Sequence, residues 1–501
     1  MSLLGIDVGT TGCKSVVFSH KAQILASAYS EYNFTSPAPG QAQLDSRRIW
    51  KTIKDTIAQA AANVGTEDPI RALSVSSLGE SVVAVKKDRK ILGPSLLLFD
   101  SRGNEYLEDL GHRLDNDTLY RINGNTLGSQ YGLTKLMWIR DHQQEVYEEA
   151  DWFLFWSGFV AFMLGADPAA DYSLANRSLV FDLDSRDWSR ELLAWAGLER
   201  DKFPQPVPSG TIIGTVSKTI AAELNLSKEV KILSGTHDQC ANALGCGVIE
   251  SDEAMFGLGT YHTIVPVFKQ RPDPAIMMRH GLNTEHHALQ DRFVSFIYNQ
   301  CGSIVKWFRN TFAAAEHRQA QMTGQDIYER LFAELPQGPS SVGVLPHFSA
   351  MGPPEFVTNS SGVFTGLRLG TSRGEILKGI LEGSVFSLRE SIDTLPETGL
   401  DIRRYRAAGG GSKSDAWLQI CADILNRPVI RSDVTEAGSL GSAILAGVGT
   451  GIFNSFAEAI REMVKMGSRF EPAQQKVRLY DELYQRYRKL WSLLKEYLAE
   501  K

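Results

Sequence analysis

The chain has 501 residues, 43% hydrophobic and 22% charged, a globular composition long enough for two domains of ordinary size. Its 52 basic and 58 acidic residues leave a formal charge of −6. There is therefore no basic excess with which to hold nucleic acid through its phosphates. A polyanionic ligand would have to be held locally, by backbone N–H groups, helix N-termini and a divalent cation.

Leu3 to Val8 is predicted as a strand, followed by a Gly/Thr turn and a returning strand from Lys14 to Phe18. Gln23 to Tyr29 is predicted as a third strand. Ile49, Trp50, Ile53, Ile57, Ala60 and Ala61 fall at helical spacing, so 49–62 reads as a helix. Ala72 to Ser76 and Val82 to Val85 read as short buried strands. The apolar run WFLFWSGFVAFMLGA, 152–166, is shorter than the roughly 20 residues of a membrane span. Acidic residues flank it, and it is predicted as one buried core helix.

In the second half, Ala254 to Gly259 and Tyr261 to Val267 read as a strand pair around the turn Gly257-Leu258-Gly259-Thr260. The shared strand–Gly-Thr–strand context at Gly9-Thr10 and Gly259-Thr260 suggests two related halves, 1–250 and 251–501. Pro336 to Pro339 and Met351 to Pro354 are loop signals. The segment 477–498 carries apolar and aromatic residues three or four apart, an amphipathic helix expected to pack on the second half. Cys13, Cys240, Cys246, Cys301 and Cys421 are odd in number and contain no C-x-x-C pair. Neither a zinc site nor a disulfide framework is indicated, and free thiols fit a cytoplasmic compartment. The first residues lack a cationic n-region, and Asp7 interrupts the first apolar run, so no signal peptide is read there.

Three segments carry the chemistry. Asp7-Val8-Gly9-Thr10-Thr11 puts an acid at a strand end before a turn too small to block a phosphate. Gly9 permits close backbone approach, and Thr10 and Thr11 offer N–H and hydroxyl donors. Asp7 is a candidate Mg2+ ligand through water. Gly259-Thr260 is a weaker phosphate clamp, because Gly-x-Gly turns are common in plain hairpins. Gly409-Gly410-Gly411 follows the strand 405–408 and opens the helical pattern of Trp417, Leu418, Cys421, Ala422 and Leu425. Bare backbone there could lie against a flat base or ribose. Between these signatures stands Gly235-Thr236-His237-Asp238-Gln239-Cys240. A carboxylate so placed can take the proton of an acceptor hydroxyl. Asp238 also reads as the N-cap of a helix from Cys240 to Leu244, whose N-terminus is expected to keep it ionised. His237 reads as a local packing or hydrogen-bonding residue.

This pattern resembles the FGGY family of carbohydrate kinases over nearly the whole chain. GTHDQCANALGCG is similar to the family's catalytic segment, which implies Asp238 as the base. GGGSKSDAWLQICADILNRPV resembles the adenosine motif of the xylulokinase branch, placing Gly410, Gly411, Ser414 and Asp415 beside the nucleotide. Glu436 to Ala443 resembles the small-residue helix next to it. Ser76 to Ser81 and Leu97 to Arg102 look like the paired acceptor segments, implying Glu80, Asp100 and Arg102 as substrate contacts. Here xylulokinases usually carry Met-His-Gly, and glycerol kinases carry Arg-Glu; this chain has Gly79-Glu80-Ser81. Residues 134–142 and 362–382 are similar to the two family signatures, with Gly379 where Ala or Ser is usual. That swap is expected to cost some helix stability but not chemistry. Asp171 reads as structural, within reach of the sugar side.

The resemblance implies an α/β fold of two ribonuclease H-like (actin-like ATPase) domains with a cleft between them. The first, 1–250, would hold the acceptor and base; the second, 251–501, the nucleotide. It implies ATP and Mg2+ as cofactors and a small sugar or polyol as partner, with no nucleic acid and no membrane. It allows a homodimer, although nothing in the sequence marks an interface. A ketopentose such as xylulose, a deoxysugar ketose and a four- or five-carbon polyol all stay open as acceptor. Rival readings on this fold are a non-catalytic sugar or nucleotide sensor and a polymerising ATPase. Broken glycine turns or a lost Asp238 would favour the sensor, and neither is seen.

Overall fold

A computed structural model describes residues 1–65, 68–349, 352–354, 360–434 and 436–499. The first half is built on a six-stranded sheet. Its strands are β1 (Ser2–Val8), β2 (Gly12–Ser19), β3 (Ile24–Glu31), β4 (Ile70–Ser77), β5 (Ile212–Thr215) and β6 (Lys231–His237). They lie in the order β5-β6-β4-β1-β2-β3. β1, β2 and β3 form an antiparallel meander, while β4 and β6 run parallel to β1. Helix α1 (Ser46–Ala62) covers one face and buries Ile49, Trp50, Ile53 and Ile57, the apolar stripe expected from spacing. Asp45 starts it by accepting the backbone N–H groups of Arg47 and Arg48.

The segment 152–166 departs from the expected single helix. Trp152–Phe155 is a strand paired antiparallel with Val82–Val85, and α2 (Trp156–Leu164) begins only after it. An apolar run buried on all sides has no periodicity that separates strand from helix. The Val82–Val85 strand forms as expected, outside the main sheet.

The second sheet repeats the plan. β7 (Glu253–Leu258) pairs antiparallel with β8 (Tyr261–Phe268), which pairs with β9 (Ile297–Gln300). β7 also pairs parallel with β10 (Arg404–Ala408), which pairs parallel with β11 (Val429–Ser432). A meander followed by parallel strands is the ribonuclease H-like order, present twice. Helix α3 (Asp238–Gly245) closes the first half; α4 (Arg373–Ile392), α5 (Asp415–Leu425), α6 (Ala437–Gly449) and α7 (Gln474–Ala499) belong to the second. α7 packs on the second half, burying Tyr480, Tyr484, Tyr487 and Leu498 in its core. The loop signal at 336–339 falls between a helix ending at Ala333 and a strand beginning at Gly343. Of the second loop signal, Gly352 to Pro354 form no regular element, and Met351 lies outside the described residues.

The layer between the two sheets is made of α3 and α6, and small residues make it possible. A Cβ on Gly245 would stand 1.9 Å from the carbonyl oxygen of Ala437, and one on Gly441 would stand 2.0 Å from that of Ala241. On the sheet side, a Cβ on Gly5 would stand 1.8 Å from the oxygen of Ser439. Glycine at these three positions lets backbones touch, and Leu3, Val16, Leu244, Met255, Leu440 and Ile444 fill the space around them. The expectation that Gly379 merely weakens its helix is also corrected. A Cβ there would lie 2.5 Å from the oxygen of Val342, so close packing requires the glycine. Among the described residues, no helix is long and apolar enough to cross a membrane.

Candidate active site

β6, β4 and β1 are neighbours and run parallel, so the residues that follow them emerge along one edge. Asp7 sits at the end of β1, Gly79 and Glu80 follow β4, and Asp238 follows β6. Three acids that are far apart in sequence are thereby gathered at one end of the sheet.

Asp238 is the first residue of α3, and the N-cap is His237, whose side chain makes no capping bond. The helix therefore starts earlier than expected. The Asp238 carboxylate accepts from Gln239 Nε2 at 3.2 Å and lies 3.3 Å from His237 Nε2. Its side chain keeps 28% of its surface open to solvent, enough for a ligand to reach it. Burial, followed by the charges of Asp7 and Glu80, pushes its pKa up to about 7. This corrects the expectation of a carboxylate held firmly ionised. Desolvation and two neighbouring acids outweigh the donors of Gln239. His237 is buried, and burial together with the Arg177 charge holds its pKa well below the usual histidine range. It is a neutral imidazole packed edge-on against Phe296 at 5.2 Å.

Asp7 accepts a hydrogen bond from Ser76 Oγ at 2.7 Å. Burial raises its pKa, Ser76 and Lys14 lower it, and Glu436 raises it further. A Cβ on Gly438 would stand 2.9 Å from Asp7 Oδ2, so α6 brings backbone, not a side chain, to this carboxylate. Lys14 and Glu436 pair at 2.6 Å beside it, joining the two halves. The β1–β2 turn is closed by Gly9 N–H to Gly12 O at 2.9 Å and by the Tyr32 hydroxyl on Gly9 O at 2.6 Å. Thr10 is half-buried and Thr11 exposed at its tip.

The second sheet brings its glycine turns together in the same way. Gly259 and Thr260 follow β7, and Gly409 to Gly411 follow the neighbouring β10. Gly409 has φ +92°, and a Cβ on it would approach the Leu258 oxygen to 2.8 Å. Gly410 faces open space, a bare backbone surface. Ser414 caps α5 by accepting from Trp417 N–H at 3.3 Å. Asp415 is ion-paired with Arg431, whose Nε donates to Ser412 O at 2.7 Å.

Asp100 and Arg102 are bound mainly to each other. Asp100 accepts from Ala42 N–H at 2.6 Å, from Arg102 N–H at 2.8 Å and from the Arg102 guanidinium at 2.6 Å. Arg102 also reaches Gln43 Oε1 at 2.9 Å and covers the Trp138 ring at 5.1 Å. Lys135 Nζ ties down both backbone oxygens. Among the described residues, no hydrogen bond or ion pair joins them to Asp7, Glu80 or Asp238. Asp171, 3% exposed, caps the helix Tyr172–Asn176 and accepts from Ser173 Oγ, the structural role expected of it.

Sequence reasoning missed two residues. Arg177 donates to Glu80 Oε1 through Nε at 2.7 Å and through Nη2, and to Glu285 Oε1 through Nη1 at 2.5 Å. It stacks on Tyr131 at 4.8 Å. A Cβ on Gly79 would come within 2.9 Å of His237 and 3.4 Å of Arg177. The Arg177 guanidinium thus lies beside the position where Gly79 carries no side chain. The available signals were a lone Arg in the small-residue run SLANRS and a lone Glu in the buried run GLNTEHHAL. Neither belongs to a motif.

Residues 2–245 match the N-terminal domain of the FGGY family of carbohydrate kinases, and residues 263–450 match its C-terminal domain. The chain belongs to the FGGY family. It is 25% identical to a xylulose kinase of Bacillus subtilis, over 99% of this chain and 97% of that one. It is 28% identical to an autoinducer-2 kinase of Escherichia coli, over 98% and 93%. Its fold is shared with a xylulose kinase from Lactobacillus acidophilus (22% identity, 100% and 99% coverage, TM-score 0.88). It is shared also with Plasmodium falciparum glycerol kinase with ADP (18%, 97% and 97%, 0.85). As an FGGY kinase it is a phosphotransferase that uses ATP and Mg2+ on an alcohol acceptor. The residues present fit the metal. Asp7 offers a carboxylate oxygen toward the Gly438 backbone, with Glu436 and Asp238 adding negative field. Few carboxylates, with phosphate and water completing the shell, is the donor set Mg2+ prefers.

Proposed function

We propose that the protein phosphorylates one hydroxyl of a small, uncharged sugar or polyol, with a ketopentose such as xylulose as first candidate. The reading is carried by Asp238: a partly exposed carboxylate, lifted toward neutrality, at the strand edge that also holds Asp7 and Glu80. In this scheme MgATP supplies the phosphoryl group. Asp238 takes the proton as the acceptor oxygen forms its bond to the γ-phosphorus and the bond from that phosphorus to the leaving ADP oxygen breaks. The Gly9–Thr11 and Gly259–Thr260 turns hold phosphates, and Asp7 holds the metal through water. Gly410 and Gly411 lie against the nucleoside, and Ser414 and Asp415 fix the loop beside it. Glu80 faces the acceptor, while Asp100 and Arg102 hold its loop in shape. The division of labour falls near residue 250, between the two sheets. The five buried free cysteines support a cytosolic setting.

Support for the ketopentose comes from the relatives that are xylulose kinases. One observation favours a second reading: Glu80 follows the strand next to the one that ends at Asp238, and a carboxylate in that segment suits the hydroxyls of glycerol or a longer polyol. The deciding experiment is ADP release with MgATP across ketoses, polyols and sugar acids against a sugar-free blank. Stimulation by one acceptor class selects between the two. A rate that no acceptor raises, with ATP still bound, removes the proposal and leaves a sensor.

A further inference from the structure

Glu285 is fully buried, yet one of its two carboxylate oxygens does all the bonding. Arg177 Nη1 at 2.5 Å and Asn283 Nδ2 at 2.7 Å both donate to Oε1. Oε2 is buried and has no hydrogen-bond partner among the described residues. Buried polar atoms are nearly always satisfied, so an orphaned carboxylate oxygen marks a place for a donor that the protein does not supply. Neighbouring side chains are not free to supply it. Asn283 is pinned by Ser295 Oγ at 3.0 Å and Phe296 N–H at 2.8 Å, both donating to its Oδ1. Arg177 is committed to Glu80 and lies between Tyr131 and Phe296.

The carboxylate sits beside the acceptor segment. The guanidinium that holds Glu285 also holds Glu80, so the two carboxylates flank one cation. Glu80 belongs to the acceptor segment and adopts φ +63°, a strained value for a residue with a side chain. Arg177 also faces His237, the neighbour of Asp238, across Gly79. Glu285 comes from the second half of the chain, delivered by the short strand Glu285–His286 that rests on the helix Tyr172–Asn176. The second half therefore contributes an acceptor group to the edge that carries the base.

We propose that Glu285 is a specificity-determining residue of the acceptor site: its Oε2 takes a hydrogen bond from a hydroxyl other than the one Asp238 deprotonates. Arg177 is the positioning residue that sets Glu285 and Glu80 side by side. The inference rests on the kinase reading above and narrows its substrate class. Glu80 and Glu285 share a single arginine and Asp238 stands on the same strand edge, an acid excess that repels a further anion, so sugar acids and sugar phosphates are poor acceptors. A neutral acceptor rich in hydroxyl donors fits.

The test is Glu285→Gln, which keeps the shape and replaces the acceptor oxygen or its charge. Acceptor KM should rise about 10- to 100-fold, the range for a hydrogen bond to a charged group. The KM for MgATP and kcat should stay close to wild type. Calorimetric binding of the same acceptor without nucleotide should weaken by the same factor. A deoxy analogue lacking the contacted hydroxyl should lose that factor on wild type and nothing further on the variant. Should Glu285→Gln not fold, Glu285→Asp keeps the charge and withdraws the oxygen, with the same expectation. The inference is overturned if MgATP KM and acceptor KM move together, if thermal stability alone changes, or if every deoxy analogue loses equally on both proteins. A wild type without sugar-stimulated turnover sinks the kinase reading, and calorimetry then judges Glu285 alone. Absence of any acceptor binding overturns both.

Discussion

Replacing Asp238 with asparagine should abolish turnover and, at alkaline pH, make the protein more stable. The activity arm follows from loss of the base, worth about 10²–10⁴-fold in rate. The stability arm follows from the crowding of acids at the strand edge. Asp238 is raised from 3.8 to about 7, first by burial and then by Asp7 and Glu80. The folded state thus binds the proton more tightly than the unfolded chain. Its contribution to stability is complete below about pH 4 and is lost as pH rises through about 7. The full difference corresponds to ~4 kcal/mol, and partial exposure of the side chain reduces it to ~2. Asparagine removes the ionisation that causes this loss while keeping the shape. Thermal midpoints of wild type and variant, without ligands, should nearly coincide at pH 4 and separate in favour of the variant at pH 8.5. ADP release should be lost at both. A variant keeping a tenth of wild-type turnover, or one equally destabilised at both pH values, would refute this reasoning. In wild type, acceptor kcat/KM should climb with pH through about 7, because the ionised carboxylate is the active form.

Three further outcomes are expected. Gly441→Ala puts a methyl 2.0 Å from the Ala241 oxygen; it should cost about 1–3 kcal/mol by overpacking, read as a lower thermal midpoint with an intact helical circular-dichroism signature. Asp7→Asn should raise the Mg2+ concentration for half-maximal rate ten- to hundredfold, as loss of an outer-sphere partner does, while calorimetric binding of the acceptor alone is unchanged. Tyr480→Phe removes the hydroxyl that donates to buried Glu382 at 2.8 Å; it should cost about 1–3 kcal/mol, seen by denaturation, and leave both KM values alone.

How much of this was legible in the sequence varies by the range of the interaction. Local signals carried well: the apolar spacing of 49–62 is a helix, and the glycine turns stand at strand ends as read. The acids Asp7, Glu80 and Asp238 were readable from the motifs they belong to, and they meet because each stands at or just after the end of one of three parallel neighbouring strands. Trp152–Phe155 was not readable as a strand, since burial on every side erases periodicity. Arg177 and Glu285 were invisible for a different reason. Their meaning lies in contacts 97 and 108 positions apart, between unremarkable runs with no motif. The pKa of Asp238 was misjudged because the helix end is a local cue, while burial and the Asp7 charge are supplied by tertiary structure.

The two halves are built on one plan but use it for opposite ends. In the first, the ends of parallel strands carry acids; in the second, they carry glycines. In the proposed function the acid edge binds a metal and hydroxyl donors, and the glycine edge takes phosphate and a flat base against bare backbone. Each edge alone would be a poor catalyst, since acids repel a nucleotide and glycines deprotonate nothing. What joins the two halves is the α3–α6 layer, where Gly245 and Gly441 bring helix backbones into direct contact and Gly438 presents its backbone to Asp7. Such a layer cannot slide without opening voids or collisions, because close-packed interiors do not deform continuously. The halves are also joined by the side-chain pairs Arg177–Glu285, Arg271–Asp184 and Lys14–Glu436, which can part and re-form without backbone collision. Of these pairs, Arg177–Glu285 lies at the acceptor segment itself, so the acceptor contact proposed for Glu285 would fall on a joint between the halves.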